Sequence, residues 1–182
     1  MPRIHVIGTG GVGKTVLASR LASALRVPHI ELDSIFWQEN WQPSETEVFQ
    51  QAVREALAGR DWVTDGNYSK VRQIIWRRAE VVVWLDLPFV TAFSRLLRRS
   101  VRRAFSRELL WGTNRESFVK LFFSRESLLL YVIRDFRKRR TLYEQLSHSP
   151  EFKEIQFVRL RTPCQAERWF KEFISSQASP NG

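Results

Sequence analysis

Eight residues near the amino terminus, Gly8-Thr9-Gly10-Gly11-Val12-Gly13-Lys14-Thr15, concentrate more chemistry than any other stretch of the chain. Glycines let backbone N–H groups curl around an anion with no Cβ in the way. A lysine and a hydroxyl residue closing such a loop suit the outer phosphates and the divalent cation of a nucleoside triphosphate. The pattern is that of a P-loop. All eight residues are expected to cradle ATP, with Lys14 on the β- and γ-phosphates and Thr15 on Mg²⁺.

The loop works only between a strand and a helix, and the flanks supply both. Arg3-Ile4-His5-Val6-Ile7 is a short apolar run, and Val16, Leu17, Leu21 and Leu25 follow at helical spacing. Two carboxylates sit where a metal-facing group belongs, at the carboxyl ends of apolar strands. They are Asp65, after Trp62-Val63-Thr64, and Asp86, after Val81-Val82-Val83-Trp84-Leu85. Asp86 also precedes Pro88 and suits a plain turn. A third carboxylate, Asp33, closes the run His29-Ile30-Glu31-Leu32-Asp33, and suits an N-cap for a turn at Ser34-Ile35 as well.

The chain has 29 Lys+Arg against 19 Asp+Glu, a formal charge of +10. Residues 95–140 hold 14 of the basic groups and 4 of the acids, so the remainder is balanced. Two readings fit this insert: a face for a nucleic-acid backbone, or arginines that close over phosphates. On a helix opened by Pro88, Arg95, Arg99 and Arg102 share a face, with Arg98 beside them. Arg115 falls in a loop marked by Gly112 and Asn114, where a mobile arginine can close on ATP.

These groups need an alternating scaffold, and the patterning predicts one. Helices are expected over residues 13–26, from Pro43-Ser44 with Glu47 as a capping box to about Ala58, over 71–77, from Pro88, over 128–146, and from Thr162-Pro163 to about Ile174. Strands are expected over 3–7, 29–33, 62–64, 81–86 and 155–160, with a loop or lid over 105–115. Strand–helix alternation argues an α/β domain with a parallel sheet over residues 1–174, followed by a disordered tail at 175–182. At 182 residues with 43% hydrophobic content, one domain is expected. A single cysteine excludes an internal disulfide, and no uncharged stretch approaches the ~20 apolar residues of a membrane span. A cytoplasmic location and no membrane partner are expected. The guanine-reading pattern Asn-Lys-x-Asp is absent, which disfavours a GTPase.

The succession of P-loop, Leu32-Asp33, Asp65-Gly66-Asn67-Tyr68, Leu85-Asp86-Leu87-Pro88 and an Arg-rich insert resembles the adenylate-kinase-related P-loop proteins, some of them labelled DNA topology modulation protein. Its most specific stretches are Leu32 to Trp41 and Trp62 to Tyr68. Wider similarity reaches the nucleoside monophosphate kinases and shikimate kinase. The resemblance implies a three-layer P-loop NTPase fold, a five-stranded parallel sheet in the order 2-3-1-4-5 and an Arg-bearing helical lid. It implies that Asp65 takes the Walker B position, holding Mg²⁺ through water, with Asp86 as its rival. It implies that Asp33 meets the acceptor, that Arg95, Arg99 and Arg115 act on the transferring phosphoryl group, and that Arg161 lies in the adenine-side loop.

Where monophosphate kinases grip their acceptor with arginine, residues 27–53 hold no Lys or Arg and five acids. Lys70 and Arg72 offer partial compensation, and Phe36, Trp37, Trp41 and Tyr68 offer flat apolar surfaces. The sequence therefore favours a small-molecule kinase using ATP and Mg²⁺, with a neutral or cationic hydroxyl-bearing acceptor near Asp33, Trp37 and Tyr68. The alternatives are a nucleic-acid-binding ATPase using the basic insert, a nucleoside monophosphate kinase, and a nucleotide-binding regulator without turnover.

Overall fold

The computed structural model describes residues 2–106, 109–110, 114–115 and 128–178, with side chains for 2–99, 101–102 and 136–177. Strand β1 (Arg3–Gly8) runs between β3 (Trp62–Asp65) and β4 (Val81–Leu85), with β2 (His29–Glu31) outside β3. The fifth sheet strand, β7 (Gln156–Leu160), lies outside β4. All four pairings are parallel, so the five-stranded order is the 2-3-1-4-5 that the resemblance implies. Between β4 and β7 in sequence, a two-stranded antiparallel ribbon joins β5 (Leu109–Leu110) to β6 (Asn114–Arg115). Part of the lid region thus has strand structure, and α5 (Phe89–Ser106) runs further than the loop boundary at 105.

Period-two alternation along β1 sends its side chains to two cores. Ile4 and Val6 join Leu17, Ala18, Leu21 and Leu25 of α1 (Lys14–Leu25), with Trp169, Phe170 and Phe173 of the final helix packed against them. Ile7 faces the other way, onto Phe49 and Val53 of α3 (Thr46–Ala56) and Val71, Ile75 and Trp76 of α4 (Ser69–Trp76). A sheet covered on both faces explains why β4 is apolar at every position.

Three boundaries differ from the sequence reading. The ladder of edge strand β2 ends at Glu31 opposite Asp65, so Leu32–Phe36 turns into a short helix, α2. Asp33 therefore lies in a first helical turn, neither ending a strand nor capping, and the Ser34 hydroxyl donates to Glu31 O at 2.7 Å. Helix α3 begins at Thr46 with Glu45 at the N-cap and no side-chain cap, so Ser44 stands one residue too early to cap it. Ser44 is buried, and its N–H donates to Phe36 O at 2.8 Å, closing the loop that carries the Trp37–Pro43 bridge. The last helix, α7 (Pro163–Ala178), continues past Ile174, since nothing before Pro180 stops it; residues 179–182 lie outside the described ones. Among the described residues, no helix is long and apolar enough to cross a membrane.

Candidate functional site

The loop between β1 and α1 needs glycine for two separate reasons. Gly13 has φ +98°, and a Cβ there would meet only the Arg95 guanidinium at an ordinary contact of 3.9 Å, so its requirement is the left-handed backbone that admits the chain into α1. At Gly11, φ +81°, a Cβ would also collide with the Ala92 carbonyl and Leu96, because α5 packs directly on the loop. No side chain caps the N-terminus of α1, and no acid lies in its first turn. That leaves the positive helix end and its first N–H groups for an anion.

Lys14, half-buried, donates from Nζ to Thr9 O at 3.1 Å. Burial pushes its ammonium below the usual lysine range; Arg99 and Arg139 add to the push, while Asp33 and Asp65 oppose it. Arg95 Nη1 donates to Val12 O at 3.4 Å, placing that guanidinium over the loop. The backbone of Arg115 lies in β6, beside the 3-10 turn Glu39–Trp41, and its side chain lies outside the described ones.

The two rival carboxylates occupy different surroundings. Asp65 is buried, and its Oδ2 accepts from Thr15 Oγ1 at 2.7 Å. Its Oδ1 lies 2.8 Å from His29 Nε2. Asp86 accepts from Arg159 Nε at 2.9 Å and pairs with Arg140 at 3.3 Å. Arg159 in turn pairs with Glu144 at 2.8 Å and lies 4.2 Å from the Trp84 ring. Asp86 thus ties β4 to β7 and to α6 (Leu128–Ser147), with both arginines gathered on its Oδ2. Magnesium keeps several waters and takes one or two protein oxygens besides phosphate. The adjacent Thr15 hydroxyl and Asp65 carboxylate fit that donor set.

On the other side of Lys14, Tyr68 donates its hydroxyl proton to Asp33 Oδ1 at 2.5 Å. Phe36 and Phe49 pack against the Tyr68 ring with centroids 4.5 and 5.1 Å away, which fixes the phenol. Those rings are therefore structural, whereas Trp37 and Trp41, 5.7 Å apart, are half-buried at the rim. Asn40 and Trp41 both hold left-handed backbone, φ 56° and 61°, an arrangement that costs energy in non-glycine residues and turns the Trp41 ring toward Trp37.

Four residues that the sequence did not single out complete the crevice. Asn67 brackets the loop, its side chain bonded to both the N–H and the carbonyl of Gly8. Arg139 Nη1 donates to Asn67 O at 3.3 Å. Arg72, noted only as partial compensation, is a half-buried guanidinium without a carboxylate partner among the described residues. Burial lowers its pKa, and Arg139 adds to the lowering. His29 is the fourth, through Asp65. The signal for Arg139 was the basic run 137–140, whose depth sequence alone does not reveal. Arg161, by contrast, is exposed: its N–H donates to Gln165 Oε1 at 2.7 Å, and Thr162 Oγ1 caps the start of α7.

No protein-family model matches the chain. It is 25% identical over 131 residues to an uncharacterized protein, YqaC, of Bacillus subtilis (strain 168), covering 69% of this chain and 71% of that protein. Among solved structures, shikimate kinase from Bacteroides thetaiotaomicron matches with a TM-score of 0.57 at 18% identity, over 98% of this chain and 99% of that one. A gluconokinase from Sinorhizobium meliloti 1021 matches with a TM-score of 0.54 at 17% identity, over 97% and 95%. A sugar kinase from Janibacter matches with 0.54 at 14% identity, over 96% and 93%. The fold is that of the P-loop kinases.

Proposed function

We propose that this chain transfers the γ-phosphoryl group of ATP to a hydroxyl of a small acceptor that also carries an anionic group. The observation that carries the reading is the Asp33–Tyr68 pair, 2.5 Å apart, at the same edge of the sheet as the P-loop pair Thr15–Asp65 and near enough for the Asp33 charge to act on Lys14. A phosphoryl donor on the P-loop side and a proton acceptor on the other are what in-line transfer requires.

In this reading Asp33, held by Tyr68, takes the proton of the acceptor hydroxyl. The freed oxygen attacks the γ-phosphorus as the bond to the ADP oxygen breaks. Lys14 holds the β- and γ-oxygens, and Arg95 and Arg99 answer the charge that spreads over the transferring group. Magnesium, held by Thr15 and through water by Asp65, supplies neutralisation of the phosphate charge when bound. The proton leaves on Asp33 and is returned to solvent at product release.

The anionic acceptor is a revision. The acidic segment 27–53 argued for a neutral or cationic molecule, but the fold brings Arg72 and Arg139 to Asn67 and Tyr68 from outside that segment. A hydroxy acid or a phosphate ester gives Arg72 the counter-charge that the described residues do not supply. The same placement weakens the polyanion reading, because Arg139 and Arg140 of the basic run are committed to Asn67 and Asp86. Thermal-shift screening of hydroxy acids, phosphorylated hydroxyl compounds and mononucleotides in ATP analogue and Mg²⁺ tests the reading. Extra stabilisation by an anionic hydroxyl compound is expected. Stabilisation by uncharged or cationic compounds alone contradicts the anion, and stabilisation by DNA alone contradicts the kinase.

A further inference from the structure

Asp65 is gripped at both oxygens. Thr15 Oγ1 donates to Oδ2 at 2.7 Å, and His29 Nε2 stands 2.8 Å from Oδ1. A carboxylate can only accept, so His29 Nε2 bears the hydrogen in this contact. The register explains the reach. His29 lies opposite Val63 in the β2–β3 ladder, and Val63 and Asp65 share the sheet face that packs on α1. The imidazole therefore runs along that face toward the carboxyl end of β3, one strand away from the P-loop. The pair is shielded, with 21% of the His29 side chain and 3% of the Asp65 side chain exposed. Nothing in the proposed transfer step uses the imidazole.

We propose that His29 is a positioning residue for the metal side of the site. By occupying Oδ1 it fixes the carboxylate rotation and reserves Oδ2 for the face where Thr15 stands. The inference rests on the reading of Thr15 and Asp65 as the magnesium-side pair. Oδ2 receives a donor from that face, the Thr15 hydroxyl or a metal-bound water, while Oδ1 stays committed to the imidazole. Without the imidazole the carboxylate is free to rotate, and part of the organisation for the cation is lost. Outer partners of this kind are worth 10–100-fold in metal affinity. A bland account also fits the contact, in which His29 merely ties edge strand β2 to β3, and that account predicts lost stability with unchanged metal affinity.

The two separate in a Mn²⁺ titration of the full chain with ADP, read by loss of the free Mn²⁺ resonance signal. ADP affinity in chelator and unfolding temperature are measured alongside. His29→Ala is expected to weaken Mn²⁺ binding about tenfold or more while leaving metal-free ADP affinity unchanged. His29→Gln, whose Nε2 amide reaches the same position, is expected to restore most of it. Wild-type Mn²⁺ affinity in His29→Ala overturns the proposal, as does an equal loss in both variants. If the wild-type protein with ADP holds no Mn²⁺, the magnesium-side reading itself falls and the proposal with it, an outcome distinguishable because no variant is needed to see it.

Discussion

Thr15 and Asp65 are joined by a 2.7 Å hydrogen bond although they come from different elements, the first turn of α1 and the end of β3. Parallel pairing sets Asp65 beside Val6, so β1 and β3 open at the same edge of the sheet. The loop leaving β1 then carries Thr15 back over that edge. The result is a hydroxyl and a carboxylate held together at the mouth of the loop between β1 and α1.

This relationship separates the two carboxylates experimentally. Asp65→Asn is expected to abolish the Mg²⁺ dependence of ATP binding while the chain still folds. Asp86→Asn is expected to leave ATP·Mg²⁺ binding intact and to lower stability by about 2 kcal/mol, because Arg159 loses a charged partner beneath α6 but keeps Glu144. Calorimetric titration with and without Mg²⁺, paired with denaturant unfolding, checks both halves.

Asp33 and Tyr68 make a second pair with separable roles. Asp33→Asn removes the proton acceptor and is expected to lower kcat about 100-fold or more with little effect on ATP binding. Tyr68→Phe leaves the carboxylate in place but unheld, and a loss of about tenfold is expected. If Tyr68→Phe costs as much as Asp33→Asn, the phenol itself handles the proton. Steady-state kinetics on the acceptor identified by screening decide between these.

The P-loop was legible in the sequence because its eight residues are contiguous and their geometry is local. The parallel sheet was legible for a similar reason, since an all-apolar β4 admits few other settings. What the sequence concealed depends on register and on chain return. His29 reads as an ordinary strand residue until its alignment with Val63 shows which carboxylate it meets. Arg139 reads as one of a basic run until α6 folds back onto Asn67. Ser44 failed as a cap because α3 starts one residue later, at Glu45, after a loop closed by the Trp37–Pro43 bridge and the Ser44 N–H that local pattern does not reveal. Two arginines of the basic insert have places of their own: Arg140 pairs with Asp86, and Arg139 donates to Asn67 O.

Arg72 gives a prediction that reverses the usual sense of a charge deletion. As a half-buried guanidinium without a carboxylate partner among the described residues, it burdens the folded state. Arg72→Leu is expected to leave stability unchanged or raise it, and to raise KM for an anionic acceptor about 10–100-fold with a smaller change in kcat. A loss of stability with unchanged KM makes Arg72 structural. Thermal unfolding and acceptor kinetics on the same preparation read both quantities.

His5 predicts the pH response. Its Nδ1 accepts from Trp76 Nε1 at 2.9 Å and its Nε2 lies 2.9 Å from Gly66 O, so both ring nitrogens are used in the neutral form. Burial, the largest cause, lowers its pKa from 6.5 to about 4. Between those values the unfolded chain binds a proton that the folded chain refuses. The stabilisation is complete above pH 6.5 and is lost as pH falls toward 4, by about 3 kcal/mol for this group. Denaturant unfolding at pH 7, 5.5 and 4 measures the loss, and His5→Gln, which takes up no proton, is expected to show a shallower slope.

The central claim is that the P-loop side and the Asp33 side of this crevice serve one transfer. Labelled γ-phosphate transfer from ATP measures it most directly, with the hydroxy acids and phosphate esters that stabilise the protein offered as acceptors. The account predicts label in a single acceptor, in a reaction that requires Mg²⁺, falls at least 100-fold in Lys14→Ala, and falls comparably in Asp33→Asn. Label released only as inorganic phosphate, at a rate unchanged by acceptor and by Asp33→Asn, contradicts it.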